Sequence, residues 1–383
     1  MKIVADDKIP YLKGVLEPYA TVVYKPGQHI SNTDVLDADA LIIRTRTQCD
    51  EALLKGSSVN FIATATIGYD HIDREYCHRN GIYWTNAPGC NAASVQQYIA
   101  SVLARVDAEL QTGNRKPTLG IIGVGHVGSR IEKLARILDM HVLLNDPPRE
   151  RQEGGSQWCS FKDIIHNADI ITLHVPLIHE GKDKTYHLID AKVFNKLKPH
   201  TILINSSRGA VVDNRALKQA LARKQIQAAI LDVWENEPYI DRSLHDLLFL
   251  GTPHIAGYSR DGKANGTAQS VQQLSRFFGL GLDQWYPADI ESPENPYIKI
   301  NQNKTSVTQA LHEAILTTYD VQKDDRNLRE KPREFEMLRG NYPVRREFHA
   351  YEMLMKERFP DPLKNKLQEL GFQCEKSKTS PKT

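Results

Sequence analysis

The chain has 383 residues, of which 40% are hydrophobic and 25% charged, and its formal net charge is +2. That size allows two or three domains with their own cores, and a near-neutral balance without a long basic stripe argues against a nucleic-acid partner. The opening Met1-Lys-Ile-Val-Ala-Asp6 reads as a strand rather than an apolar leader, and no apolar run reaches membrane length, so a soluble, cytoplasmic protein without a membrane partner is expected.

Short apolar, β-rich runs at residues 2–5, 21–24, 40–43, 61–65 and 82–85 alternate with polar stretches of helical rhythm. This alternation predicts a parallel sheet covered on both faces. Ser94 is placed to cap a helix running to about residue 110, with Val95, Ile99, Val102, Leu103 and Val106 along one face. A second set of strands is expected at 118–124, 141–145, 170–175, 201–205, 228–233 and 247–250. A helix at 266–278 is expected to return to the first domain. Pro287, Pro293 and Pro296 mark a linker. Residues 303–320 then carry a helical apolar rhythm, 324–347 are dense in both charges, and the polar tail 376–383 is expected to be mobile.

The cysteines, Cys49, Cys77, Cys90, Cys159 and Cys374, are odd in number and have no metal-ligand spacing. Free thiols and no metal site are therefore expected.

Between the first two strands of the second set lies Gly123-x-Gly125-x-x-Gly128. In a strand–turn–helix context, such glycines allow a tight turn, a close approach of pyrophosphate to backbone, and close helix–strand packing. Val127–Leu138 is expected to continue as a helix, whose N-terminus favours phosphate. Asp146 follows the next strand, eighteen residues after Gly128. A carboxylate there accepts ribose hydroxyls and repels a 2′-phosphate, which favours NAD over NADP. Arg149 is equally compatible with holding a 2′-phosphate. Asp232, at another strand end, is compatible with a nicotinamide contact and with capping a loop.

Three further stretches carry candidate chemistry: Arg208 in Asn205-Ser-Ser-Arg-Gly-Ala210, Glu237 in Trp234-Glu-Asn-Glu-Pro238, and His254 in Thr252-Pro-His-Ile-Ala-Gly257. An arginine can grip a carboxylate bidentately. A histidine moves a proton near neutral pH, and a glutamate can fix its tautomer and favour its charged form. Singly, each has a plainer role: Arg208 as a helix cap, Glu237 as a surface acid beside the equally charged Glu235, His254 as a donor to a loop carbonyl.

In order along residues 40–280, the motifs Ala63–Asp73, Asn86–Val95, Leu119–Gly128, Ala168–Leu177, Leu197–Leu217, Leu231–Pro238 and Thr252–Gly257 resemble those of the D-isomer-specific 2-hydroxyacid dehydrogenases. The resemblance implies an α/β protein with two Rossmann-like parallel-sheet domains, a cleft between them and a small C-terminal α/β dimerisation domain. Its implied boundaries are 1–98 and 258–286 for the substrate-binding domain, 99–257 for the NAD-binding domain, and 287–383 for the C-terminal domain, through which a homodimer is expected.

The same resemblance implies Arg208 as the substrate-carboxylate binder and Glu237 with His254 as the acid–base couple. It also implies Gly123, Gly125, His126, Val127, Gly128, Asp146, Val175, Ser206, Asp232 and Gly257 around the cofactor. Val175 departs from relatives that place a hydroxyl residue there. Arg44-Thr45-Arg46 and Thr66-Ile67-Gly68, each ending a strand, suit a phosphorylated 2-hydroxy acid, and Tyr258 is placed to hydrogen-bond it. The alternatives are a phosphoglycerate or glyoxylate/hydroxypyruvate enzyme of the same family and an NAD-sensing corepressor-like protein.

Overall fold

The computed structural model describes residues 1–110, 116–300, 306–354 and 361–374. Residues 303–305 of the expected C-terminal helix and the tail 376–383 lie outside the described residues. Two compact units emerge: Met1–Ala92 with Ser259–Glu291, and Ala93–Tyr258 with Ser292–Thr383.

The first unit is built on β1 (Lys2–Asp6), β2 (Thr21–Lys25), β3 (Ala40–Ile43), β4 (Phe61–Thr64) and β5 (Tyr83–Thr85). All are parallel, in the order β2-β1-β3-β4-β5. Successive side chains alternate between faces. Val4, Leu41, Ile43 and Ile62 pack on one side with Leu53, Tyr76 and Cys77. Ile3, Ala5, Ile42, Phe61 and Ala63 pack on the other with Val271 and Leu274. Those last two residues belong to helix Arg260–Phe278. Burial on both faces explains why these strands are continuous apolar runs. The helix starts six residues earlier than its apolar rhythm indicates. Ser259 caps it by accepting from the Gly262 N–H, at 2.8 Å, and its first turn carries polar residues, which give no hydrophobic signal.

The second unit contains β6 (Thr118–Ile122), β7 (His141–Asn145), β8 (Ile170–Leu173), β9 (Ile202–Asn205), β10 (Ala228–Leu231) and β11 (Leu250–Gly251). They too are parallel, in the order β11-β10-β9-β8-β6-β7. Strand order reverses between β6 and β8, and in open α/β sheets ligands bind outside the carboxyl ends of strands at such a switch point. Leu119, Ile121, Ile204 and Ile230 pack with helices Ala92–Leu110 and His126–Ile137. Ile122, Ile171, Leu203 and Leu231 pack on the opposite face with Ile164, Leu217 and Ala220.

The C-terminal segment joins both of these cores. Helix Val307–Thr318 places Ala310, Leu311, Ala314 and Ile315 in the cluster that holds Leu119 and Ile121, as do Leu363, Leu367 and Leu370 of helix Asp361–Leu370. Leu328 and Phe335, from helices Val321–Glu330 and Phe335–Gly340, join the other face. A two-strand parallel pair, β12 (Tyr297–Ile298) and β13 (Glu352–Met353), closes the segment on itself. Among the described residues no helix is long and apolar enough to cross a membrane.

Since Ile315 is fully buried in the same cluster as the dinucleotide sheet, Ile315→Ala is expected to lower the stability of sheet and C-terminal segment together. The expected loss is about 2–5 kcal/mol, read by denaturant unfolding. A separate early transition confined to the C-terminal segment would contradict the shared core.

Candidate active site

The loops that follow β6, β7, β8, β9, β10 and β11 leave the same edge of the second sheet, so parallel topology alone gathers their residues. The glycine turn follows β6. Gly123 has φ +87°, and a Cβ on it would meet the His174 carbonyl oxygen at 2.5 Å and Val175 Cγ1 at 2.7 Å. Gly128 lies so close to the start of the turn that a Cβ would stand 2.1 Å from the Gly123 carbonyl oxygen. Gly125, between them, has no neighbour within 4 Å of its hypothetical Cβ. One glycine thus makes the turn, one packs helix on strand, and one leaves bare backbone facing open space at the N-terminus of helix His126–Ile137. That is the cradle a pyrophosphate needs. His126 is exposed and Val127 half-buried beside it.

Asp146 caps the helix after β7. Its Oδ1 accepts from the Arg149 N–H at 3.1 Å, and its Oδ2 accepts from the Val124 N–H at 2.8 Å, tying the acid to the glycine turn. Arg149 donates through Nε and Nη2 to Glu153, at 2.7 and 2.9 Å, and its guanidinium lies 5.2 Å from the Trp158 ring centroid. Its Nη1 also donates to the Val124 carbonyl. Val175, after β8, lines the glycine turn. Ser206, after β9, has a buried hydroxyl with no hydrogen-bond partner. A buried polar group left in this state is rare. With open space at Gly125, it fits a site built for a polar cofactor.

The Arg208 loop and the Glu237 loop touch through Gly209, where a Cβ would stand 1.9 Å from the Trp234 carbonyl oxygen. Asn205 shapes the turn by accepting from Ser207 N–H and Oγ and by donating to the Arg208 carbonyl. Arg208 itself, in extended conformation, donates from Nη1 to the Ser207 carbonyl at 2.8 Å. Glu235 and Glu237, alike in the sequence, separate here. Glu235 binds His187 Nε2 at 2.7 Å and the Asn214 N–H at 2.9 Å. With Asp213 these form a compact His187–Asp213–Glu235 group.

Glu237 faces His254. Its Oε2 lies 2.7 Å from His254 Nδ1, and its Oε1 accepts from the Trp234 N–H at 2.8 Å. Burial favours the neutral carboxyl, but the bond to His254, its charge, the Trp234 N–H and the Arg339 charge outweigh burial and hold Glu237 below the usual carboxylate range. The folded value lies below the unfolded 4.5. The stabilisation from the ionised Glu237 carboxylate is therefore present above that pH and is lost as pH falls through the folded value.

His254 sits at φ +56°, a left-handed backbone that non-glycine residues rarely adopt. Asp232 holds it there. This buried carboxylate accepts from Thr252 Oγ1 at 2.7 Å and the Ile255 N–H at 2.8 Å through Oδ1, and from the Ala256 N–H at 2.9 Å through Oδ2. The Asp232 carbonyl also accepts from the His254 N–H at 2.8 Å. Burial nonetheless pushes its carboxyl above the ordinary value. The loop-capping role that the sequence left open for Asp232 is thus present in the structure. Gly257 and Tyr258 follow, half-buried, and the Tyr258 ring lies 5.8 Å from the Arg339 guanidinium carbon.

The residues expected to meet a phosphate all belong to the first unit. Arg44 follows β3 and is committed through Nε and Nη2 to the buried Asp6, both at 3.0 Å. Thr45 is exposed. Arg46 is exposed and lines a surface depression with Gln28, Ser31, Asn32 and Asp50. Thr66 follows β4; its Oγ1 bonds to Thr64 Oγ1 at 2.8 Å and donates to the Gly68 carbonyl at 3.1 Å, closing the turn.

Within this geometry, residues 93–256 match the NAD-binding domain of the D-isomer specific 2-hydroxyacid dehydrogenases, and residues 290–371 match a domain of unknown function, DUF3410. The erythronate-4-phosphate dehydrogenase of Bacteroides fragilis is 48% identical over 356 residues, covering 93% of this chain and 99% of its own. That of Pseudomonas fluorescens is 40% identical over 362 residues, covering 92% and 94%. The chain belongs to the erythronate-4-phosphate dehydrogenase family. A D-lactate dehydrogenase from Aquifex aeolicus, solved with NAD and lactic acid, superposes with a TM-score of 0.60 at 25% identity, over 74% of this chain and 97% of that one. An NAD⁺-bound 3-phosphoglycerate dehydrogenase from Entamoeba histolytica has a TM-score of 0.62 at 23% identity, over 76% and 99%, and shows the shared fold.

Family motifs leave two cations unsignalled. Lys263 lies in the first turn of helix Arg260–Phe278; burial, then the charges of Arg260 and Arg44, pull its ammonium down to about 8. Arg339, from the C-terminal segment, contributes to the low Glu237 carboxyl. Neither has a local pattern to mark it; each becomes visible only when distant segments meet.

Glu237→Gln keeps the volume and an acceptor for the Trp234 N–H but removes the charge facing His254. The expected loss in kcat is roughly 10²–10⁴-fold, with KM for the cofactor little changed. Wild-type turnover in this variant would remove Glu237 from the acid–base couple.

Proposed function

We propose that the chain oxidises the C2 hydroxyl of 4-phospho-D-erythronate to (R)-3-hydroxy-2-oxo-4-phosphobutanoate, with NAD as the cofactor, in the pyridoxal 5′-phosphate (vitamin B6) route. The observation that carries this reading is the 2.7 Å contact of His254 Nδ1 with Glu237. It commits one ring nitrogen to a carboxylate and leaves Nε2 to exchange a proton with substrate.

Gly123, Gly125, His126, Val127 and Gly128 would cradle the pyrophosphate, and Asp146 would accept the adenosine ribose. Val175, Ser206, Asp232 and Gly257 would border the nicotinamide half. Bound there, NAD supplies the hydride acceptor. His254 Nε2 takes the hydroxyl proton as the C2–H bond breaks and C2 gains its carbonyl. Glu237 stabilises the imidazolium so formed, and Arg208 holds the substrate carboxylate with two parallel hydrogen bonds. In the reverse direction His254 returns the proton.

Specificity for a phosphorylated acid rests on the first unit. Arg44, Thr45, Arg46, Thr66 and Gly68 are the sequence-derived candidates, with Tyr258 from the second unit. Lys263 joins them on the electrostatic proximity of Arg44 and Arg260. Support for a homodimer through the C-terminal segment comes from the exposed apolar side chains Tyr297, Met337 and Val344. The proposed compartment is the cytoplasm.

The direct test is NADH production with 4-phospho-D-erythronate against 3-phosphoglycerate and glyoxylate or hydroxypyruvate, with NAD and NADP in parallel. Preference for 3-phosphoglycerate would overturn the substrate assignment. His254→Ala is expected to lose nearly all turnover while still binding NADH, as measured by fluorescence titration. Lys263 is cationic below about 8 and neutral above it. Substrate KM is therefore expected to rise as pH increases through that value, and Lys263→Met is expected to flatten the dependence. An unaltered KM–pH profile in Lys263→Met would exclude Lys263 from the phosphate subsite.

A further inference from the structure

The C-terminal segment reaches the His254 loop at both ends. On the upstream side lies β11, whose outer edge pairs with no further strand among the described residues. An N–H on such an edge needs a partner. Asp325, on helix Val321–Glu330, provides it: its Oδ1 accepts from the Gly251 N–H at 2.7 Å. Arg329, four residues on, ties the same helix to this edge. It donates to Asp325 Oδ2 at 2.9 Å, to the His245 carbonyl at 3.1 Å and to the Leu248 carbonyl at 3.0 Å.

On the downstream side stands Arg345, 5% exposed. Its Nη1 donates to the Ile255 carbonyl at 3.3 Å and its Nη2 to the Ala256 carbonyl at 2.9 Å. Nη2 also donates to the Ser94 carbonyl at 2.5 Å and to Ser94 Oγ at 3.0 Å, while Nε donates to Gln97 Oε1 at 3.0 Å. The Tyr319 ring covers the guanidinium, with its centroid 4.1 Å from Cζ. A buried guanidinium is costly unless its donors are satisfied. Here the donors go to the carbonyls of the two residues immediately after His254 and to the helix that backs them. Asp232 grips the amides of the same two residues. Ile255 and Ala256 are thus held by their N–H groups from the sheet and by their C=O groups from the C-terminal segment.

We propose that Arg345 is a positioning residue for His254, and that the segment matching the domain of unknown function forms, within the same chain, the outer clamp of the acid–base loop. A left-handed backbone at His254 is sparsely populated in a free loop and persists where its surroundings over-determine it. The Asp232 grip fixes the inner side of the loop; Arg345 and Asp325 fix its outer side and its start. No contact between Arg345 and substrate is required. The inference rests on His254 being the proton-transfer group proposed above.

The test uses the full chain with Arg345→Lys, which keeps the charge but cannot span the five acceptor atoms, and with Arg345→Ala assayed with and without guanidinium ion. Expected for Arg345→Lys is a kcat lower by roughly 10- to 100-fold, with NADH affinity within about twofold of wild type and a displaced pH profile of kcat. Guanidinium ion is expected to restore part of the activity lost in Arg345→Ala. Hydrogen exchange of a peptide covering residues 251–258 is expected to speed up in Arg345→Lys, whether or not substrate is present.

Wild-type kcat and protection in a folded Arg345→Lys would overturn the proposal. So would parallel loss of kcat and NADH binding without guanidinium rescue. Should Arg345→Lys fail to fold, Asp325→Ala, which removes the acceptor for the Gly251 N–H, carries the test from the other end of the loop. A kcat-selective loss with faster exchange at 251–258 supports the clamp, and unchanged kcat and exchange refute it. A wild-type chain that oxidises no 2-hydroxy acid would defeat the functional reading, while the exchange measurement would still decide the clamp.

Discussion

One buried carboxylate governs the shape of the site. Asp232 has no water to solvate it, so its stability depends on donors from the protein, and the loop 252–256 provides them. Accepting from two consecutive amides bends the chain sharply, and His254 takes up the bend as its left-handed φ. The imidazole is then presented to Glu237, whose own orientation comes from the Trp234 N–H. The His254–Glu237 contact therefore begins with the Asp232 carboxyl group, whose own bonds go to the loop. Removing Asp232 would release the loop before it altered any reacting group.

Parallel topology does the remaining assembly. Six strands point the same way, so their following loops share an edge, and residues as distant in sequence as Gly123 and Val175 become neighbours. The glycines tune distances within that edge. At Gly123 and Gly209 the backbone of one loop meets that of another, and any side chain there would push the two loops apart. Gly125 does the opposite, keeping space open where a ligand's phosphates would come closest.

Much of this was legible in the sequence because buried parallel strands are continuous apolar runs, and ten of the eleven principal strands lie where those runs fall. The runs overshoot at the carboxyl ends. Val124 and Val233 are buried, but in site loops rather than in strands. The edge strand β11 is shorter and later than its run, because Leu247 is exposed and only Leu250 and Gly251 pair with β10. Glu235 and Glu237 were indistinguishable by charge; a hydrogen-bond partner on each separates them. Arg345 was hidden for a different reason. A run of charges ordinarily signals a solvated face, and nothing local reveals that this guanidinium is enclosed by carbonyls from residues about ninety and two hundred and fifty positions away.

Helix Asp361–Leu370 extends that dependence to the cofactor end. Leu363, Leu367 and Leu370 share a core with Ile131 and Leu134. Lys366 donates to the Ile137 carbonyl, where helix His126–Ile137 ends, and pairs with Asp139 at 2.8 Å. A chain shortened to residue 354 would keep every glycine and acid of the dinucleotide turn. It would nonetheless strip the apolar backing from the helix that follows the glycine turn, so deleting a remote terminus would loosen that turn.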